Sequence, residues 1–394
     1  MKVLFISSLY YPHVGGIETV ITELSSEYAG YGIRSVVLTK KWPSQLSSYS
    51  RYKGMPIYRI LSTKNNNDFF KTIKWVMKNE NKIRCDIIHV IGMRRPLPLF
   101  ALFLARRWQV PLVSTIAGSE LPEESDKRTY DIWNSSKDIM VPVLSQSDAV
   151  TAFSKGLIEN AHKQIELKSQ KIKLLYAGMH VSQFTKVRKT QFDQPYIVCV
   201  RRLVISKGID ILIMAFKKFS FKVKRVTLVI VGDGPEKERL VALTKKLGIG
   251  SRVKFVGTVS LKKVASLLKG AIMTVVPSRS EGGGLINIEA QASGCPLIVA
   301  RVGGIPEYVQ SGKTGLLFKV GNNDLLYKKM IYLYGNLAKR NALIKNGKRF
   351  VKKFDWKILV PQYIKLYSEI IENYISKPFL PWSMLTRKLC RDFQ

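Results

Sequence analysis

Acidic residues, histidine and cysteine are all scarce in this chain. Asp and Glu number 28 against 64 Lys and Arg, and His numbers 4, so 394 residues carry a formal net charge of +36. The four cysteines, Cys85, Cys199, Cys295 and Cys390, are isolated from one another. Their placement suggests neither a disulfide framework nor a metal site, and it fits a reducing cytoplasm. No run of 18 apolar residues occurs, so no segment is expected to span a bilayer. The apolar start runs from Met1 into Tyr10, Tyr11 and Pro12 without a small-residue cleavage site, and reads as a first strand. Low-complexity tracts and repeat periods are missing as well. There is no Cys/His finger, no RNA-recognition aromatic signature and no basic region followed by heptads, so nucleic acid is not the expected partner of the positive charge. An anionic membrane surface suits that charge better.

What is present describes a folded α/β protein. Hydrophobic residues make up 46% and charged residues 23%, and the length suggests two domains. Short β-branched runs at 3–7, 35–39, 86–90, 112–116, 149–153 and 173–176 alternate with helical stretches, as in a parallel sheet. The alternation begins again at 196–200, 227–231, 253–256, 273–276 and 297–300, with helices at 209–219 and 237–247 between them. Two doubly wound domains are expected, covering 1–180 and 195–359, with residues 181–194 as linker, an amphipathic helix over 360–376 and a basic, aromatic tail at 377–394. That tail mixes residues suited to an interfacial membrane segment. Paired arginines at 94–95 and 106–107 flank an apolar helix that is either a lipid-surface contact or a buried helix with solvated ends.

The densest chemistry lies from Glu281 to Pro296, E-G-G-G-L-I-N-I-E-A-Q-A-S-G-C-P. Strand, glycine turn, helix, glycine stop and strand make one βαβ unit. Gly282, Gly283 and Gly284 allow close backbone approach, and the helix opening at Leu285 directs free N–H groups toward an anion such as a diphosphate. Glu281 and Glu289 can accept from the hydroxyls of a nucleoside diphosphate sugar.

This E-x7-E pattern beside a glycine turn resembles the retaining GT-B glycosyltransferases of the GT4 type, and three further motifs follow the same order. Arg201-Arg202-Leu-Val-Ile-Ser-Lys207-Gly208 is similar to the family's G-R-L-x-x-x-K-G, with Arg201 where Gly is common. Val229 to Glu238 contains Gly232, Asp233 and Gly234 of a nucleotide-pocket turn, and Gly257 to Val259 would frame the base through backbone atoms. In the first domain, His13, Gly15 and Gly16 match the family's glycine loop against donor and acceptor. The resemblance implies two Rossmann-like domains facing a central cleft. It implies Arg202 and Lys207 as cations for the departing diphosphate, Glu281 at the donor sugar, Glu289 at the ribose, and Ser278, Gly303 and Gly304 on the rim. Residues 115–120 stand where relatives carry T-x-H-G-x-D, so Ala117 replaces the usual His and Glu120 is an acceptor-side candidate beside His13.

The implied activity is transfer of a hexosyl or N-acetylhexosaminyl group, with retention, from a nucleoside diphosphate sugar to an envelope polysaccharide, lipid-linked glycan or glycolipid. With no DxD-like acid pair and with cations able to take its place, no metal and no cofactor are expected. A cytoplasmic protein, peripheral on the inner membrane face, is the expected setting. Two alternatives stay open: another GT-B enzyme such as a sugar-nucleotide epimerase, or a nucleotide-sugar-binding subunit with weak turnover, which Ala117 favours. Sequence leaves oligomeric state unassigned.

Overall fold

The computed structural model describes residues 1–60, 66–93, 97–118, 120–165 and 172–378. The chain forms two compact units. One comprises Met1–Pro122, Arg128–Tyr176 and the chain from Trp356 onward; the other comprises Glu123–Lys127 and Ala177–Asp355.

The first unit is built on an eight-stranded sheet: β1 (Lys2–Ser7), β2 (Arg34–Lys40), β3 (Tyr49–Tyr52), β4 (Met55–Ile60), β5 (Ile87–Ile91), β6 (Leu112–Ile116), β7 (Ala149–Ala152) and β8 (Lys173–Leu174). The strands lie in the order β3-β4-β2-β1-β5-β6-β7-β8, parallel except for the β3–β4 hairpin. Val3, Leu4, Phe5 and Ile6 are buried, as are Ile87, Ile88 and Val90 of the neighbouring β5, because crossover helices cover both faces of a parallel sheet. The hairpin was not expected from the sequence. Its turn is Lys53-Gly54, both with positive φ (48° and 81°), a primed geometry that matches strand twist.

The apolar helix Leu97–Trp108 is buried at every residue except Arg107. Arg106 is itself buried, and Arg107 pairs with Glu80 at 3.2 Å. The lipid-contact reading of this helix is therefore corrected: it packs against the sheet and the helix Lys137–Gln146. Arg94 and Arg95 lie outside the described residues, as do Cys390 and the tail from residue 379. Among the described residues no helix is long and apolar enough to cross a membrane.

The helix Trp356–Glu372 belongs to the first unit although nearly the whole second unit precedes it in the chain. Its Tyr363 and Tyr367 are fully buried; Tyr363 donates to the carbonyl of Tyr176 at 3.0 Å. Tyr367 Oη lies 2.5 Å from His89 Nδ1, and His89 Nε2 lies 2.6 Å from Thr115 Oγ1. Burial pushes the His89 imidazole down to about 3, so it stays neutral in the fold. An unfolded histidine takes a proton near pH 6.5, so stability is lost as pH falls from about 6.5 toward about 3. His89 should account for about 2 kcal/mol of the stability lost between pH 7 and pH 5. Urea unfolding of the His89→Leu variant at both pH values checks this: its loss must be smaller than that of the unmodified protein, and an equal loss would refute the assignment.

The second unit carries six parallel strands: β9 (Tyr196–Val200), β10 (Thr227–Val231), β11 (Val253–Phe255), β12 (Met273–Val276), β13 (Leu297–Arg301) and β14 (Leu316–Lys319), in the order β11-β10-β9-β12-β13-β14. Residues 181–194, read as a linker, include the helix Val181–Thr185. They are fastened to this unit where Thr190 N donates to the Ser266 carbonyl at 2.9 Å and the Thr190 and Ser266 hydroxyls meet at 2.7 Å.

Candidate active site

In the second sheet the chain runs outward from β9 through β10 to β11, then crosses to β12 on the other side. The carboxyl ends of β9 and β12 therefore flank a topological switch point, where open α/β sheets take ligands. Lys207 and Arg201 follow β9, and Glu281 follows β12.

Glu281 is the hub of this corner. Its Oε2 accepts from Lys207 Nζ at 3.0 Å and Ser278 Oγ at 3.3 Å, and lies 3.1 Å from Arg201 Nη1. Oε1 has no hydrogen bond to a described residue. Burial alone would raise this carboxyl, but Lys207 and Arg201 outweigh it and bring it down to about 2. Lys207 also donates to the Ser280 carbonyl at 3.3 Å. Burial lowers its ammonium below the usual lysine range, Glu281 opposes that, and Arg201 adds to it.

The glycines around this cluster permit close approach. Gly208 has φ +62°, and a Cβ there would stand 2.0 Å from the Pro277 carbonyl oxygen, so β12 and the Lys207 turn can touch only through glycine. Gly284, at φ +74°, caps the helix Leu285–Ser293, with Gly282 and Gly283 buried behind it and Glu289 half-buried on its second turn. Arg279 grips Asp210 with both terminal nitrogens, at 2.9 and 2.7 Å, tying the Ser278–Glu281 segment to the helix Ile209–Lys222. Sequence reasoning passed over that pair, although its members are opposite in charge and each follows a motif residue.

Arg202, read as partner of Lys207, is exposed and pairs with no described residue; its neighbour Arg201 reaches Glu281 instead. Side chains of successive residues leaving a strand point to opposite sides, so only one of two adjacent arginines can face this corner. The Gly232–Gly234 turn is stitched to the same loop: Leu203 N donates to the Asp233 carbonyl at 2.9 Å, and Gly232 N donates to the Gly257 carbonyl at 2.8 Å. Gly257 thus stands beside Gly232, with Val259 half-buried two residues on.

The first unit has its own switch point, between β1 and β5. After β1, Gly15 caps the helix Gly16–Ala29, and His13 Nδ1 lies 3.0 Å from Glu18 Oε1. The Glu18 carboxylate also lies over Gly15, whose Cβ, if present, would be 2.5 Å from Oε2. Glu18, which holds His13 beside this glycine turn, was not singled out from the sequence; an acid in the first turn behind two glycines is the signal that could have pointed to it. After β6, Glu120 is 3% exposed, and its oxygens accept the backbone N–H groups of Gly118 at 2.6 Å, Met93 at 3.2 Å and Ala117 at 3.4 Å. A carboxylate so occupied anchors two loop backbones, which fits it poorly to the acceptor-side position read from the sequence.

Two family models divide the chain: Glycosyltransferase Family 4 matches residues 14–183, and Glycosyl transferases group 1 matches residues 182–350. An uncharacterized glycosyltransferase of Methanocaldococcus jannaschii is 30% identical over 376 residues, covering 94% of this chain and 99% of that protein. The N-acetyl-alpha-D-glucosaminyl L-malate synthase of Bacillus anthracis is 27% identical over 390 residues, covering 92% and 96%. Among solved structures, Anabaena HepE in complex with UDP-glucose shares the fold with a TM-score of 0.74 at 20% identity, covering 94% of this chain and 100% of that one.

Proposed function

Because the chain belongs to the GT-B glycosyltransferases of the GT4 type, we propose that it is a retaining, metal-independent enzyme acting at the cytoplasmic membrane face. It would move a hexosyl or N-acetylhexosaminyl group from a nucleoside diphosphate sugar to a lipid-linked, glycolipid or envelope-polysaccharide acceptor. The observation that carries this reading is the Glu281 carboxylate, held by Lys207 and Arg201 on one oxygen with the other free for a sugar hydroxyl. The excess charge of +36 supports an anionic surface as the place of work.

In this reading Glu281 stays ionised at any working pH and orients the donor sugar. As the bond from the anomeric carbon to the diphosphate lengthens, negative charge grows on the leaving oxygen, and Lys207 stabilises it in place of a metal. The acceptor hydroxyl attacks from the same face and passes its proton to the departing phosphate. Catalysis then rests on positioning and electrostatics, without a covalent glycosyl–protein step.

The names of relatives set the order of testing, since HepE was solved with UDP-glucose and the Bacillus anthracis protein is an N-acetylglucosaminyl enzyme. UDP-sugars come first, then GDP-, ADP- and dTDP-sugars. With EDTA present, one nucleotide series should raise the melting temperature and its sugar should be released slowly; no shift with any series would refute a donor site. A second reading, a binding subunit with little turnover, draws on Ala117, which brings no imaginable imidazole contact to the donor. Stabilisation by a nucleotide sugar without any hydrolysis or transfer would favour it.

A further inference from the structure

The guanidinium of Arg201 is only partly used. Nη1 faces Glu281 at 3.1 Å, while Nε and Nη2 are buried without a hydrogen-bond partner, in a side chain that is 9% exposed. Buried guanidinium N–H groups are ordinarily matched by acceptors, and an unmatched one is costly. Glu281 cannot supply more, because the same Oε2 already takes Lys207 and Ser278. Two buried cations thus share one carboxylate, leaving a surplus positive charge at the carboxyl end of β9.

We propose that Arg201 is an additional diphosphate-binding cation of this site, and that the phosphate oxygens of the donor supply the acceptors its Nε and Nη2 lack. This rests on the donor-site reading and goes beyond it, since the resemblance assigns the phosphate only to Arg202 and Lys207 and has Gly at position 201. The Nε–Nη2 edge is the planar fork that pairs two N–H groups with two oxygens of one phosphate. A ligand with one more negative group than a nucleoside monophosphate answers the surplus charge. In the ligand-free protein Glu281 occupies part of that charge; once the diphosphate is bound, Glu281 is left to Lys207 and the sugar.

The test is calorimetric binding of UDP, GDP, ADP and dTDP, and of the matching monophosphates, to the unmodified protein and to Arg201→Gly and Arg201→Lys. Sugar-free nucleotides are the right probes because Glu281 has no hydroxyl of the donor sugar to hold in them. Arg201→Gly is expected to weaken the diphosphate that binds by about tenfold or more while leaving its monophosphate within about twofold, with a shallower salt dependence. Arg201→Lys, which keeps the charge and loses the fork, should fall between; it answers the question if the glycine variant fails to fold. Unchanged diphosphate affinity in a folded variant overturns the proposal, including the case where only nucleotide-sugar affinity drops, which would leave Arg201 merely holding Glu281. If the unmodified protein binds no nucleoside diphosphate, the donor-site reading falls and this proposal with it.

Discussion

Replacing Glu281 with Ala is expected to lower kcat by about 10²-fold or more, and Lys207→Ala by a similar factor, with the double variant little worse than either alone. The two groups meet at 3.0 Å and act on one another's charge. Without Glu281, Lys207 and Arg201 face each other across a buried space with no counter-ion, which costs stability besides activity. Without Lys207, the carboxylate keeps Arg201 and Ser278, so the fold should survive while leaving-group stabilisation is lost. The carboxyl titrates only near pH 2. Its favourable contribution is therefore complete above the ordinary glutamate range and is withdrawn only as pH falls through that range toward about 2. Any fall in rate between pH 5 and 8 must then belong to another group. Transfer or hydrolysis kinetics of the three variants, with unfolding curves beside them, decide the matter; near-normal rates in either single variant would remove Glu281 and Lys207 from the site.

Gly208→Ala should destabilise the second unit by about 3 kcal/mol and depress turnover with it. Two independent effects coincide there. The backbone sits at φ +62°, which an alanine adopts only with strain, and the new Cβ would fall 2.0 Å from the Pro277 carbonyl oxygen. Relief requires the β9 loop and the end of β12 to part, and those two segments carry Lys207 and Glu281. Gly321→Ala is the control: φ is +79° there but nothing lies within 4 Å of its Cβ, so strain acts without the clash. Chemical denaturation should place Gly208→Ala well below Gly321→Ala in stability. Equal effects would mean that the close approach of the two strands is not needed.

The parts of the fold legible in the sequence were those whose residues are buried on both sides. Runs such as Thr227–Val231 and Met273–Val276 lie inside parallel sheets, and continuous β-branched sequence marks them. Strand β3 was not legible because it sits at a sheet edge, where half the side chains face water and the pattern Tyr-Ser-Arg-Tyr offers little apolar signal; β4 beside it, Met-Pro-Ile-Tyr-Arg-Ile, has its apolar run broken by proline and arginine. Strand β14 lies at an edge of the second sheet and has only four residues. For the site, the glycine turns and the acid of the E-x7-E motif were visible because glycine and carboxylate are chemically distinctive at any position. Which of Arg201 and Arg202 meets Glu281 was not, since that depends on the direction of each side chain as β9 ends. The burial of Glu120 against three N–H groups was hidden for a similar reason: Met93, which supplies one of them, lies 27 residues earlier.

The return of the helix Trp356–Glu372 to the first unit also fixes an order of events during synthesis. His89, Thr115 and the carbonyl of Tyr176 leave the ribosome long before Tyr363 and Tyr367 exist to meet them. Residues 177–355, which hold nearly all of the second unit, emerge in the interval. The half of the molecule made first is therefore the half whose interior closes last, and its central histidine waits in a nascent chain for a tyrosine 278 residues downstream.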